Sequence, residues 1–358
     1  MLTQDDLAAG VAQGIITDAQ ASALRALAAK RETARIAELG HEERFRFMRG
    51  FNDFFFASGV VLFGVGATYF AGTAVTRSLF AAAIVWALAE LLVARLRLVL
   101  PGILLVLFFV YFVFMAVPVD LTGAAGAQTP PNIGLFLGGR PWATSSLDGA
   151  AKGLVAAAAA LVFYARFRLP FALLPAAGGL VIAVMMAAQL VGADTQHLAQ
   201  TAILLACGLA VFAAAMAFDI SDRERTTRRA DCAFWLHLLA APLIVHSLIA
   251  LATDNAFKTM TDRVAVTIVG IVLALTIVAV AIDRRALLVS TLTYLGVVIA
   301  YALKAASVDQ AAIFAATLLV LGGMVLTLGV GWLPLRRVLL RLVSPRFAAH
   351  LPPVVPAA

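Results

Sequence analysis

The chain has 358 residues, 63% of them hydrophobic and 13% charged, with 27 Lys and Arg against 20 Asp and Glu for a net charge of +7. A soluble domain carries about 25% charged residues, so this chain has too few to clothe a water-facing surface. The basic excess would suit nucleic acid, but the basic residues lie within a few positions of apolar segments, where membrane topology and anionic headgroups account for them. Nucleic-acid binding is therefore not expected.

Residues 1–40 read as a small water-facing helical hairpin. Thr3 caps a helix whose first turn holds Asp5 and Asp6, where the helix dipole favours anions. Gly14 ends it, and Thr17 followed by Gln20 has the spacing of a capping box for the second helix. Leu7 and Val11 form one apolar face, and Leu24, Leu27 and Ala28 the facing one. Two short helices could form a DNA-reading unit, yet Asp18 and Gln20 lead the second helix where basic residues are wanted. A docking or self-association element fits better. Residues 41–53 mix Phe45, Phe47, Met48 and Phe51 with Arg44, Arg46 and Arg49, a composition suited to lying in the interface or to extending the first spanning helix into water.

A spanning helix needs about 20 apolar residues. Ten such segments follow, at 54–74, 79–94, 99–117, 149–165, 170–192, 199–218, 232–252, 264–282, 286–304 and 310–331. The expected fold is an all-α polytopic transmembrane bundle, 54–331, with the hairpin before it and a tail, 332–358, after it. The tail carries an amphipathic stretch from Arg336 to Val343 and a Pro-rich end expected to be disordered. The 118–148 connection is long, Gly- and Pro-rich and nearly neutral, and reads as an exposed loop, with a lid as the alternative.

Basic residues alternate across these connections. The turns holding Arg95 and Arg97, Arg166 and Arg168, Arg223 to Arg229, and Arg284 and Arg285 alternate with turns poor in basic residues, which hold only Arg77, Arg140 with Lys152, none, Lys258 with Arg263, and Lys304. One side collects 21 of the 27 Lys and Arg. Retention of basic segments in the cytoplasm predicts both termini inside. The same tendency explains why Arg-containing turns resemble one another without an internal duplication.

No P-loop, HExxH, GxSxG or dinucleotide fingerprint occurs, and five His with two Cys outside any CxxC make a metal cage improbable. No cofactor is expected, and an enzyme is the least supported class. Cys207 and Cys232 are too far apart in depth to bridge and read as small buried hydrophobes. Polar groups inside spans are the remaining candidates. Glu90 lies one turn from a span end, with Arg97 seven residues on, and reads as an interfacial ion pair before it reads as a proton relay. His237 and His246 flank Pro242 on opposite faces of the seventh span. Ser290, Tyr294, Val297, Tyr301 and Lys304 recur at intervals of four, three, four and three, so they line one face of the ninth. His237, His246, Ser290, Tyr294, Tyr301 and Lys304 are accordingly expected to form a polar seam between the seventh and ninth spans, with Tyr301 level with His246 and Tyr294 not far from the depth of His237. The turn holding Asp219, Asp222, Glu224 and Asp231 among four Arg reads as solvated and self-neutralised, with partner or headgroup docking as its alternative.

The Gly-Val-Ala-Gln-Gly-Ile-Ile-Thr-Asp-Ala-Gln run at 10–20, the 41–59 junction and the block from Phe218 to Ser247 resemble bacterial membrane proteins grouped under domain of unknown function 2157. The resemblance implies a bacterial inner-membrane protein and transfers no active-site residue. The expected function is transport of a small solute or ion through the seam. The alternative is a membrane scaffold or regulator that binds a cytoplasmic protein through residues 1–40 and the 219–231 turn. The expected partners are the lipid bilayer, that protein and, compatibly, further copies of the chain.

Overall fold

A computed structural model of the chain describes residues 7, 11–24, 26–27, 51–71, 75–117, 145–190, 192, 197–222, 225, 227–253, 260–342 and 351. Expectations for the rest of the hairpin, for 41–50, for 118–144 and for the Pro-rich end fall outside these residues. Ten helices are long and apolar enough to cross a membrane, one on each expected segment. They are α1 (Phe51–Ala71), α2 (Val75–Ala89, extended by a π turn Glu90–Arg95), α3 (Val99–Ala116), α4 (Ser146–Phe167) and α5 (Leu173–Leu190, preceded by a 3₁₀ turn Pro170–Ala172). The second half contains α6 (His197–Ser221), α7 (Arg228–Thr253), α8 (Asp262–Ile282), α9 (Ala286–Ala305) and α10 (Gln310–Leu342). No strand occurs among the described residues, as the fold class required.

Backbone polarity explains the uniformity. In hydrocarbon every N–H and C=O must be satisfied within the segment, which a helix does and a lone strand does not. Several hydroxyls inside the spans follow the same rule, although those of Ser78 and Thr317 are buried without a hydrogen-bond partner among the described residues. Ser58, Ser247, Thr253, Thr267, Thr276 and Thr327 each donate to the carbonyl four residues back. These groups are locally spent and are poor candidates for chemistry.

The Arg-rich turns share a geometry that the sequence comparison had reduced to charge alone. Each of the four contains a residue in the left-handed region: Arg97, Arg168, Arg225 and Asp283, with φ of 56, 53, 53 and 58°. In the first and second the next residue is extended, Leu98 (φ −80°, ψ 126°) and Leu169 (φ −82°, ψ 113°), and its side chain is buried. A left-handed cap followed by an extended, buried Leu reverses the chain between α2 and α3 and again between α4 and α5.

α3, α4 and the α2 end meet over an aromatic cluster in which Trp86 contacts Phe109, Phe163 and Phe167. α4 and α5 approach closely through small residues: Gly149, Gly153, Ala156 and Ala160 on one, Ala176, Gly179 and Ala183 on the other. This is the packing lipid-embedded helices favour, because only small side chains let two backbones touch. α7 is the hub of the second half and packs on α5, α6, α8 and α9. α10 continues beyond the expected span end without a break. Trp332 is buried against α8 and α9 residues, and Leu351 joins the same cluster.

In the N-terminal segment, the Thr17 N–H donates to Gln20 Oε1 (2.9 Å) and the Gln20 N–H to Thr17 Oγ1 (3.2 Å), a reciprocal capping box. Gly14 takes φ of +70°. The expected facing surface differs: Ala21 is buried, whereas Leu24 and Leu27 are exposed.

The α4–α5 contact makes a paired prediction. A Cβ on Gly179 would lie 2.7 Å from the Gly153 carbonyl oxygen, whereas one on its neighbour Gly178 meets nothing within 4 Å. Gly179→Ala should lower the thermal midpoint in detergent, at a cost of about 1–3 kcal/mol. Gly178→Ala should leave it unchanged or raise it. Equal responses would show that the backbones do not touch there.

Candidate functional site

Two groups of polar side chains lie within the α6–α10 half, and they differ in access. The first is sealed. α6 carries Asp219 in its last turn, α7 carries His237 in its third turn, and the α8–α9 turn supplies Arg284; all three are almost fully buried. Arg284 Nε donates to Asp219 Oδ2 at 3.0 Å, and Arg284 Nη2 donates to Asp219 Oδ1 and to the Ala230 carbonyl. His237 Nε2 lies 2.9 Å from the same Oδ2. With Asp219 a carboxylate, the Nε2–H is the donor, which leaves Nδ1 as an acceptor. Nδ1 has no hydrogen-bond partner among the described residues.

A second carboxylate lies beside the first. Asp283 caps α8 in the left-handed conformation and accepts from Arg225 Nη1 (3.0 Å) and from Trp332 Nε1 (2.7 Å). Arg336 Nη1 is 3.8 Å away, and Arg225 Nη2 also donates to the Asp283 carbonyl at 2.9 Å. Asp222 accepts from the Thr227 N–H and hydroxyl at 2.9 and 2.6 Å. Three guanidinium groups thus face two carboxylates, Asp219 and Asp283, at the Arg-rich end, where α6 to α10 converge. These contacts also place the Arg-rich turns α6–α7 and α8–α9 and the α10 terminus at one end of the bundle. The Glu90–Arg166 pair does the same for the α2 and α4 ends.

The second group is open. His246 Nδ1 on α7 lies 2.5 Å from Tyr294 Oη on α9, with His246 exposed and Tyr294 half-buried. Two turns further along α9, the Tyr301 hydroxyl donates to Asp262 Oδ1 at the start of α8 (2.8 Å). Ser290 is half-buried and Lys304 exposed at the far end of α9.

Sequence reasoning set Tyr301 level with His246 and Tyr294 near His237; the structure instead brings His246 to Tyr294, and Tyr301 to Asp262. Three other expectations are corrected. His237 does not join the seam with α9: it turns to α6, where Asp219 offers a carboxylate that α9 lacks. The 219–231 turn is not simply solvated, because Asp219 is buried in the ionic cluster and Asp222 is buried while accepting from Thr227. Glu90 pairs with Arg166 on α4 at 2.5 Å, not with Arg97. The π turn at 90–95 widens the helix, with the Leu96 N–H bonded to the Leu91 carbonyl, and Arg97 lies past the helix end. Both partners of the Glu90 pair are substantially exposed, so it has the character of a surface ion pair worth little. Sequence reasoning missed the role of Arg284. The available signal was an Asp-Arg pair directly abutting an apolar run, matched by Asp219 abutting another. Among the described residues no group of three His, Cys, Asp or Glu could hold a metal ion.

Comparison with protein-family models, with curated proteins and with solved structures returns no match for the chain.

The ionic cluster predicts strong non-additivity. Arg284→Met leaves Asp219 buried without its main counter-charge and should cost about 3–5 kcal/mol. Asp219→Asn combined with Arg284→Met should recover much of that loss, because the uncompensated charge is gone. A double-mutant cycle read by thermal midpoint in detergent checks this; additive losses would contradict a shared cluster.

Proposed function

We propose that this multi-pass membrane protein moves a small solute or ion across the membrane along the α7–α9 seam. The observation that carries the reading is the 2.5 Å contact between His246 and Tyr294, which joins two spanning helices through protic groups within the spans. Protic side chains in mid-span are costly in hydrocarbon and are kept where they meet a solute, water or each other. Tyr301 with Asp262 continues the protic face toward the Arg-poor end. The sealed Asp219–His237–Arg284 cluster, by contrast, has the features of a structural lock. The basic-residue alternation and the N-terminal resemblance support a bacterial inner membrane with both termini cytoplasmic.

The test is reconstitution in proteoliposomes with currents recorded for a panel of amino acids, sugars, carboxylates and monovalent ions. Wild-type protein should give gradient-dependent flux of at least one class. Tyr294→Phe and His246→Gln should each lower it about tenfold or more while the thermal midpoint holds. Flux that survives both substitutions, or no flux for any class, would overturn the reading.

A second reading has one observation in its favour: Leu24 and Leu27 face outward on the N-terminal segment, available to a protein partner. It no longer includes Asp219 and Asp222 of the turn, which are buried. A partner that co-purifies with the full chain and is lost from Leu24→Ser/Leu27→Ser would support it over transport.

A further inference from the structure

The ion pairs of arginines among the described residues engage Arg166, Arg225, Arg284 and Arg336. Two arginines outside that set come together where the α4–α5 turn meets the start of α7. Arg168 caps α4 and Arg228 opens α7, and both are exposed. Both lie within electrostatic reach of one group, the Tyr164 hydroxyl.

Apolar packing fixes this juxtaposition. Phe171, three residues after Arg168, is buried and meets Trp235 of α7 edge-on, with ring centroids 4.6 Å apart. Tyr164 Oη reaches the same helix, 3.6 Å from Sγ of the buried Cys232. Arg168 takes the left-handed conformation, with φ of 53°, and its N–H donates to the Tyr164 carbonyl at 2.7 Å. The turn that carries one guanidinium is thus fastened to the first two turns of the helix that carries the other.

The acidic residues nearby leave this charge uncompensated. Glu90 is engaged by Arg166. Asp231, three residues on from Arg228, makes no ion pair with it among the described residues, and the exposed Arg229 offsets its charge. Deeper in the spans the surface turns apolar. Leu161, one turn below Tyr164 on α4, is exposed. Trp235 is half-buried and lies seven residues from Arg228, on the same face of α7. Trp is a residue type that settles at headgroup level. From the helix ends inward the order is guanidinium, hydroxyl, apolar surface, which complements the phosphate, glycerol ester and acyl chain of a phospholipid.

We propose that Arg168, Arg228 and the Tyr164 hydroxyl form a site for the phosphate of an anionic phospholipid. A guanidinium presents paired donors that match phosphate oxygens, and the phenol supplies a further donor. A zwitterionic headgroup fits less well, because its own cation meets two guanidinium groups. The site is independent of the α7–α9 seam, and its readout requires no flux.

The experiment uses the purified full chain in nonionic detergent, titrated at fixed ionic strength with dioleoyl phosphatidylglycerol, dioleoyl phosphatidylcholine or inorganic phosphate. Phosphatidylglycerol should raise the thermal midpoint saturably by about 2–4 °C, and the other two should not. Arg168→Asn with Arg228→Gln should raise the half-saturating lipid concentration about tenfold or more; Asn at 168 keeps the left-handed cap. Tyr164→Phe should raise it about threefold. Arg95→Gln with Arg97→Asn removes the same charge from the exposed α2–α3 turn and should leave the lipid response as in wild type. Equal responses to the two lipids, or a response to inorganic phosphate that matches the one to phosphatidylglycerol, would overturn the proposal. So would equal losses in the two double variants, the mark of diffuse surface charge. If the Arg168→Asn/Arg228→Gln protein does not accumulate, Arg228→Gln alone and Tyr164→Phe decide, and a wild-type response in both overturns the site.

Discussion

The pairing of Asp219 with Arg284 is the constraint on which the second half of the bundle depends. Each residue terminates an apolar run, and each is buried. Left alone in such surroundings, either charge would cost several kcal/mol. They are satisfied only if the end of α6 and the α8–α9 turn arrive at the same point. The Arg284 bond to the Ala230 carbonyl brings the first turn of α7 to that point as well. The pair therefore sets which helices meet and in what register, a contribution distinct from net stability, since a well-packed apolar substitute can be as stable. Asp283, directly adjacent in sequence, extends the same constraint to α10 through Trp332 and Arg336.

Locking one end of a helix set has a mechanical consequence for the other. At the Arg-rich end, α6 to α10 are joined by several charge-assisted hydrogen bonds, each about twice as strong as a neutral one. In mid-span, the polar link between α7 and α9 is the His246–Tyr294 contact. Breaking a neutral hydrogen bond costs about 1 kcal/mol net. Toward the Arg-poor side, α7 and α9 are held instead by apolar packing, with Val245, Ile249 and Val298 in one buried cluster against which Tyr294 and Tyr301 pack. Pro242 lies inside α7 between the two histidines, where it removes one backbone hydrogen bond and permits a bend.

What could be read in the sequence follows from the range of each signal. Runs of about 20 apolar residues are self-sufficient, since each helix satisfies its own backbone, and so the ten helices were predictable one at a time. The Thr17–Gln20 capping box and the stripe on α9 are also local and periodic. Partner choice is not local. Nothing within α7 distinguishes a His237 that faces Asp219 from one that faces Tyr294, because periodicity assigns a face and not the helix it meets. The interleaved charges of the α6–α7 turn have the same composition whether water or Arg284 surrounds them. At Glu90 the failure was geometric: a seven-residue spacing places two side chains on one face only while the helix stays α, and the π turn at 90–95 ends that.

The basic alternation and the buried cluster involve the same residues at two stages. Arg225, Arg284 and Arg336 belong to the 21 basic residues on one side of the chain. In the folded bundle, however, each is engaged by a carboxylate, and Arg284 and Arg336 are buried. A buried, neutralised guanidinium no longer attracts headgroups, so the folded Arg-rich end is less basic than its composition implies. During insertion the helices have not yet met, and these arginines are still unpaired. Acidic residues contribute little to orientation, so Asp219, Asp222 and Asp283 do not cancel the signal at that stage. Once the hairpins are in place, the same carboxylates become the partners that draw α6 through α10 together. An Arg in such a turn is thus suited to both tasks in sequence, whereas a surface Lys would serve only the first.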